Sequence, residues 1–255
     1  MFPIKDNIPT DNFPIVTIVL IVINVVVFLF WQHPTGFNGV DNTKVVEYGA
    51  IPYELTHPGK HCALVSGLVA CEGQQGVAVT APGQPLTFLT VFTSMFMHGG
   101  VLHIVGNMLF LWIFGNNVED SMGPVRFVAF YLLGGVAALL GQVIIDPSAT
   151  VPTIGASGAI AAVLGGYLLL YPRARVLTII FIIFFFTIIE LPALVMLGLW
   201  FLQQIYFGYA DLSDPTGGGG GVAYWAHIGG FAFGLLTVRA LAKRIKEPEP
   251  KYPVY

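Results

Sequence analysis

Charge is scarce in this chain. Only 10% of its 255 residues are Asp, Glu, Lys or Arg, while 55% are hydrophobic; a soluble domain carries about 25% charged residues. A surface so poor in charge calls for lipid as the solvent over most of its area. The 11 Lys and Arg residues form no basic stripe with interleaved aromatics, which excludes a nucleic-acid binder. The net charge of -3 is too small to select a partner. Cysteine is nearly absent: Cys62 and Cys71 both fall in the polar stretch after the first apolar run. Two free thiols and one bridge are both open readings, and the bridge gains weight if that stretch lies outside the cytosol. No H-E-x-x-H occurs, and no carboxylate or cysteine lies near the helical histidines, so neither a metal centre nor any other cofactor is expected. The first apolar run has no A-x-A-like cleavage pattern and is expected to be retained as a span.

What the chain has instead is long hydrophobic runs. A helix needs about 20 mostly apolar residues to cross a bilayer. Six segments qualify or nearly qualify: 15–31, 101–118, 125–145, 157–171, 192–207 and 224–241. The fourth is short and rich in Gly and Ala, as expected of a helix buried among other helices. Residues 34–85 read as a long outer loop and 216–221, TGGGGG, as a flexible connector. The run 176–189, VLTIIFIIFFFTII, is short for a span and is closed by Glu190 and Pro192. Charge decides its placement. With six spans and the N-terminus inside, Lys5, Arg126, Arg173, Arg175, Arg239, Lys243, Arg244, Lys246 and Lys251 are cytoplasmic, and only Lys44 and Lys60 lie outside. A seventh span would reverse the C-terminal basic cluster, against the positive-inside bias. The run is therefore expected to be an interfacial or re-entrant piece on the cytoplasmic side. The expected organisation is all-α: a cytoplasmic tail (1–14), a six-helix membrane domain (15–241) and a cytoplasmic C-terminal tail (242–255). The expected site is the cell membrane.

This orientation starts the second, fourth and sixth helices at the outer face. His98, His103 and Asn107, then Ser157, then His227 therefore share one depth. Polar groups inside a membrane are costly and point to function by default. Ser157 lies in IGASGAI between Gly155 and Gly158, at a helix start whose free N–H groups and positive dipole end suit an oxyanion. Taken alone, the same motif reads as ordinary small-residue helix packing. His227 precedes the Gly230-x-x-x-Gly234 face, which presents it to a neighbouring helix; it is either a base for a serine hydroxyl or a histidine bonded within the bundle. His103 and Asn107 are i and i+4, share a helix face, and could both donate to an oxyanion. His98, five residues before His103, falls about 140° away around the helix, near its mouth. No Asp or Glu is placed to orient His227, since Glu119 and Asp120 close the second helix at the opposite end, which suggests a dyad.

Four motifs in order, HGGVLHIVGNM (98–108), GNNVED (115–120), GASGAI (155–160) and AHIGGFAFG (226–234), resemble the rhomboid family of intramembrane serine proteases over roughly residues 86–241. The resemblance implies a six-transmembrane-helix bundle with an outward-opening, water-accessible cavity. It implies Ser157 as nucleophile, His227 as general base, and His103, Asn107 and the Ser157 backbone N–H as the oxyanion hole. His98 would be supporting, as would Gly155 and Gly158. Two departures stand out. Some members carry a Tyr four residues after the serine, packed on the base, where this chain has Ala161; other contacts must then hold His227. The Trp-Arg pair that some members carry in the first loop is absent from 34–85. The implied activity is cleavage of single-pass transmembrane proteins near the outer face, with the substrate helix docking beside the fifth helix. The alternative is a catalytically inactive rhomboid-like protein that binds membrane clients. A small transporter would show two matching halves, and no internal repeat links 1–120 to 121–241.

Overall fold

A computed structural model describes residues 2–37, 39–74, 79–81, 85–182, 185–212 and 221–246. Residues 216–220 of the expected connector and the C-terminal tail from 247 onward lie outside the described residues. The chain opens with strand β1 (Phe2–Asp6) and helix α1 (Ile15–Val26), which runs on through a wide π-type turn to Trp31. The long polar stretch folds as α2 (Asn42–Tyr48), α3 (Pro52–Thr56) and the hairpin β2 (Cys62–Val65) and β3 (Leu68–Cys71). Then come α4 (Thr87–Thr93), α5 (Val101–Phe110), α6 (Asn116–Met122), α7 (Pro124–Ile145) and α8 (Ser157–Leu170). Strands β4 (Arg175–Ile182) and β5 (Phe185–Pro192) precede α9 (Ala193–Leu212) and α10 (Tyr224–Leu241).

A helix stands at each of the six apolar segments. Three stretches, Val101–Met122 (α5 through α6), Pro124–Ile145 and Ala193–Leu212, are long and apolar enough to cross a membrane by length and composition. Their outward faces carry large apolar side chains, among them Leu140 and Ile144 on α7 and Leu199 and Leu202 on α9. Water would not tolerate so much exposed hydrocarbon, whereas lipid matches it. In α8, residues 158–167 are buried on every side. That burial requires a helix of small residues, because its neighbours approach to backbone contact. A Cβ at Gly230 would overlap the carbonyl of Gly158, and one at Gly234 would overlap that of Ala162. The G-x-x-x-G face of α10 is thus seated directly on α8.

The all-α expectation is corrected to a mostly helical fold. The run expected to be an interfacial or re-entrant piece is strand on either side of residues 183–184, which lie outside the described residues: β4 and β5 pair antiparallel, with Arg175 opposite Pro192 and Ile182 opposite Phe185. Strand β1 adds to the other side of β4, Phe2 opposite Ile179 and Asp6 opposite Val176. The β-branched and aromatic residues that made the run ambiguous suit a pleated ribbon. A hairpin also returns the chain to the end it left, so it does not alter the parity of the helices around it. The expected N-terminal tail is accordingly part of a sheet over residues 2–6.

The stretch expected to be a loop is a small folded unit. Val46, Ile51, Tyr53, Cys62 and Cys71 form its own apolar cluster, Cys62 and Cys71 are disulfide-bonded, and the buried Glu54 carboxylate accepts the Cys62 N–H at 2.6 Å. It is pinned to the segment leading into α8: Thr153 N–H donates to the Ala50 carbonyl (2.8 Å) and Tyr53 N–H to that of Ala149 (3.0 Å). Helix α4 was not foreseen. Its continuation at Ser94 accepts the Gly155 N–H through its carbonyl (2.9 Å), two residues before Ser157.

Candidate active site

Three helices and one tight turn bring the expected residues together. Ser157 is the first residue of α8, behind Gly155. At Gly155 φ is +124°, a left-handed conformation that disfavours side chains. A Cβ there would also come within 2.8 Å of His103 Nε2. Glycine at 155 therefore serves both the turn and the close approach of the His103 ring. His227 lies one turn before Gly230, so the helix seam that joins α10 to α8 also sets it beside Ser157. Its Nε2 is 2.8 Å from Ser157 Oγ. Gly158 completes the packing: a Cβ on it would lie 2.6 Å from that of Ala138 on α7.

The other ring nitrogen has a partner that the sequence did not announce. His227 Nδ1 is 2.8 Å from Gln204 Oε1 on α9. Trp200, one turn earlier on α9, lies against the same imidazole, ring centres 5.8 Å apart at 35°. An amide oxygen only accepts, so Nδ1 carries the proton and Nε2 presents its lone pair to the serine hydroxyl. The signal that could have found Gln204 is its chemistry alone: one of two adjacent amides, Gln203 and Gln204, within a mostly apolar helix.

His103 has the opposite tautomer. Its Nδ1 accepts the Gly99 N–H at 3.1 Å, so in the neutral ring the proton is on Nε2, on the side of Gly155 and Ser157. Asn107 sits one turn along α5, buried, and one of its amide protons is taken by the His103 carbonyl at 2.9 Å. An amide nitrogen has two protons, which leaves a second donor. The Ser157 N–H belongs to the first turn of α8, where backbone donors have no intrahelical acceptor; the first helical bond recorded here is Ile160 N–H to the Ala156 carbonyl. These groups line a cavity of about 610 Å3 shared by His103, Asn107, Gly155, Ser157, Trp200 and His227.

His98 is placed differently from its expected position at the helix mouth. Gly99 and Gly100 separate it from α5, which begins at Val101. It is fully buried behind His103, edge-on, with ring centres 5.0 Å apart. Gln32 clamps its backbone from both sides, accepting its N–H (2.8 Å) and donating to its carbonyl (3.0 Å). His98 is outside the cavity lining and packs on the site through the His103 ring. Among the described residues, no group of three or more His, Cys, Asp or Glu side chains is arranged to hold a metal ion.

The sequence family described as Rhomboid domain matches residues 85–244. RHOMBOID-like protein 12, mitochondrial, of Arabidopsis thaliana is 29% identical over 171 residues, 60% of this chain and 46% of its own length. Rhomboid protein 1, mitochondrial, of Saccharomyces cerevisiae is 28% identical over 165 residues, 62% of this chain and 43% of its own. Rhomboid protease GluP of Bacillus subtilis is 32% identical over 160 residues, 61% of this chain and 28% of its own. The chain thus spans less than half the length of these curated relatives. Together with the long apolar helices, the match makes this a multi-pass membrane protein. The expectation of a cell-membrane location gains no support, because two of these three relatives are named as mitochondrial.

Proposed function

The chain belongs to the rhomboid family, and on that premise we propose that it is an intramembrane serine endopeptidase that cuts transmembrane segments of single-pass membrane proteins. Six helices cross the bilayer, both termini share one compartment, and the disulfide-bonded unit lies on the other side. Ser157 is the nucleophile and His227 the general base. The observation that carries this reading is the 2.8 Å contact between Ser157 Oγ and His227 Nε2 inside a cavity lined by donors.

The steps follow from the atoms present. A substrate helix unwinds beside α9 and offers a peptide carbonyl to the cavity. Ser157 Oγ attacks that carbon while its proton passes to His227 Nε2. Negative charge develops on the carbonyl oxygen and is met by His103 Nε2–H, the free Asn107 Nδ2–H and the Ser157 backbone N–H. Each such donor is worth about 10²–10³ in rate. Collapse breaks the C–N bond, His227 returns its proton to the leaving amine, and an acyl-Ser157 remains. Water then attacks the ester, giving its proton to His227; the acyl C–Oγ bond breaks, His227 returns the proton to Ser157 Oγ, and the carboxylic product leaves. His98 supports His103 from behind, and Gly155 and Gly158 give the serine its setting.

A fluorophosphonate or isocoumarin probe provides the test. The purified protein should take up the label at Ser157 and cleave a model transmembrane substrate, and both activities should disappear in Ser157→Ala and in His227→Ala. Full cleavage by Ser157→Ala would overturn the assignment. A well-folded wild type that neither labels nor cleaves would leave the client-binding alternative.

A further inference from the structure

Burying an amide in an apolar helix is costly unless both of its ends are bonded. On α9 the residues around Gln204 point outward: Leu202, Ile205 and Tyr206 are exposed. Gln204 turns inward and is only 6% exposed, whereas its neighbour Gln203 is exposed. Both ends of its amide are occupied. Its Nε2 donates to the Trp200 carbonyl one turn back at 3.3 Å, which directs Oε1 to His227 Nδ1 at 2.8 Å. Trp200 places its ring between the imidazole and Phe231, whose centre lies 6.0 Å from its own. The imidazole is thus held in its plane by Trp200 and in its direction by Gln204. Ala161, the position from which a bulky side chain could have steadied it, is fully buried and offers only a methyl group.

We infer that Gln204 is a positioning residue for the proposed reaction, its side-chain carbonyl holding His227 as the Nδ1–H tautomer with Nε2 aimed at Ser157. The inference rests on the protease reading above. It replaces the expected two-residue dyad with a relay of three side chains from three helices, α8, α10 and α9. The third member is a neutral dipole rather than a carboxylate. A dipole orients the ring and weakly favours the imidazolium without committing a full charge to a site in lipid.

The titratable group that faces His227 among the described residues is His103 of α5. Packed against it, α8 presents Ser157 and α9 presents Gln204, neither of them charged. A carboxylate at 204 would therefore be the only anion in contact with the imidazole, which gives the inference a readout that packing alone cannot move. Gln204→Met keeps the volume and removes the acceptor. It should lower kcat by ~10–100-fold with KM within about 2-fold, in line with the loss of an orienting partner, and should slow probe labelling of Ser157 equally. Gln204→Glu keeps the acceptor and adds a charge that favours the protonated ring. It should restore kcat at alkaline pH and move the acidic limb of the kcat/KM profile to higher pH. Gln204→Met with wild-type kcat, or a Gln204→Glu profile that superimposes on the wild type, would overturn the inference while Ser157→Ala still reports an enzyme. A wild type inert to probe and substrate would sink the protease reading and this inference together.

Discussion

The molecule has two polar clusters, one at each end of the same helices, and they are built on opposite rules. At the cavity end the groups are few and neutral, and several keep a hydrogen-bonding direction free: the proton on His103 Nε2, the second Asn107 amide proton, the Ser157 N–H. At the other end, charges are abundant and engaged. Glu119 accepts the Val16 N–H (2.9 Å), the Thr17 N–H (2.8 Å) and the Thr17 hydroxyl (2.8 Å), so it caps α1 at its N-terminus. Asp120 takes the Asn12 amide (2.7 Å), Lys246 Nζ (2.9 Å) and Arg244. Asp6 receives Asn117 Nδ2 at 2.7 Å and the Tyr167 hydroxyl at 2.5 Å. Helices α5–α6 and α8 supply both ends: His103 and Asn107 above and Glu119 and Asp120 below, Ser157 above and Tyr167 below. The difference teaches that a motif in a membrane helix need not be catalytic. Of the four stretches quoted from the sequence, GNNVED is a lock that fastens residues 6–17 and 244–246 to the bundle.

The sharpest way to break this contrast is to substitute at each end and measure both activity and stability. Ser157→Ala should cost about 10⁴-fold or more in cleavage and shift the unfolding free energy by no more than about 1 kcal/mol. Glu119→Ala should do the reverse. It strands two backbone donors at the start of α1, an expected loss of about 2–4 kcal/mol, while activity per folded molecule persists. Thermal unfolding in detergent, paired with single-turnover cleavage, measures both. If Glu119→Ala abolished cleavage at unchanged stability, the lock would be part of the chemistry and the contrast would fail.

The two ends also differ in how legible they were. Ser157, His227, His103 and Asn107 could be read because each sits in a glycine-marked motif on a helix start, and the distribution of basic residues put those starts at one depth. Gln204 could not, because a contact between residues 23 apart on separate helices leaves no periodic trace; only the chemistry of one inward amide marks it. That a helix stands at each of the six apolar segments followed from their composition, although three stretches reach spanning length. The β4–β5 hairpin did not, since a short run of β-branched and aromatic residues has the same composition in a buried strand and a buried helix. Its third strand comes from residues 2–6, a pairing that no local pattern encodes. Helix α4 was hidden for a related reason: seven residues with Thr at every third position (87, 90 and 93) carry too little periodicity to separate from the loop before them.

Between the large effects at the two ends lies the disulfide-bonded unit beside the cavity. Cys62→Ser should destabilise that unit by about 2–3 kcal/mol through the freedom returned to a short loop. Because Ala50 and Tyr53 hold the segment before α8, labelling of Ser157 should slow modestly in the same variant. Hydrogen exchange at residues 46–71 checks the first effect and probe kinetics the second. Faster exchange with unchanged labelling would detach this unit from the cavity end.

The smallest expected effect is a pH dependence at the lock. Burial pushes the Asp6 carboxyl up from 3.8 to about 6, against the lowering effect of its hydrogen bond from Tyr167. A carboxyl raised in the folded state binds its proton more tightly there than in the unfolded chain, so protonation favours folding. The stabilisation is complete below about 3.8 and is lost as pH climbs to about 6. Asp6→Asn removes the titration and keeps an acceptor for Tyr167. Other carboxylates titrate in the same window but cancel when the variant is subtracted from the wild type. The difference in melting temperature, wild type minus Asp6→Asn, should therefore fall between pH 4 and pH 6 and level off above. A flat difference would mean that the Asp6 carboxyl carries its charge as comfortably in the fold as in water. The lock would then owe its strength to Glu119 and Asp120 alone.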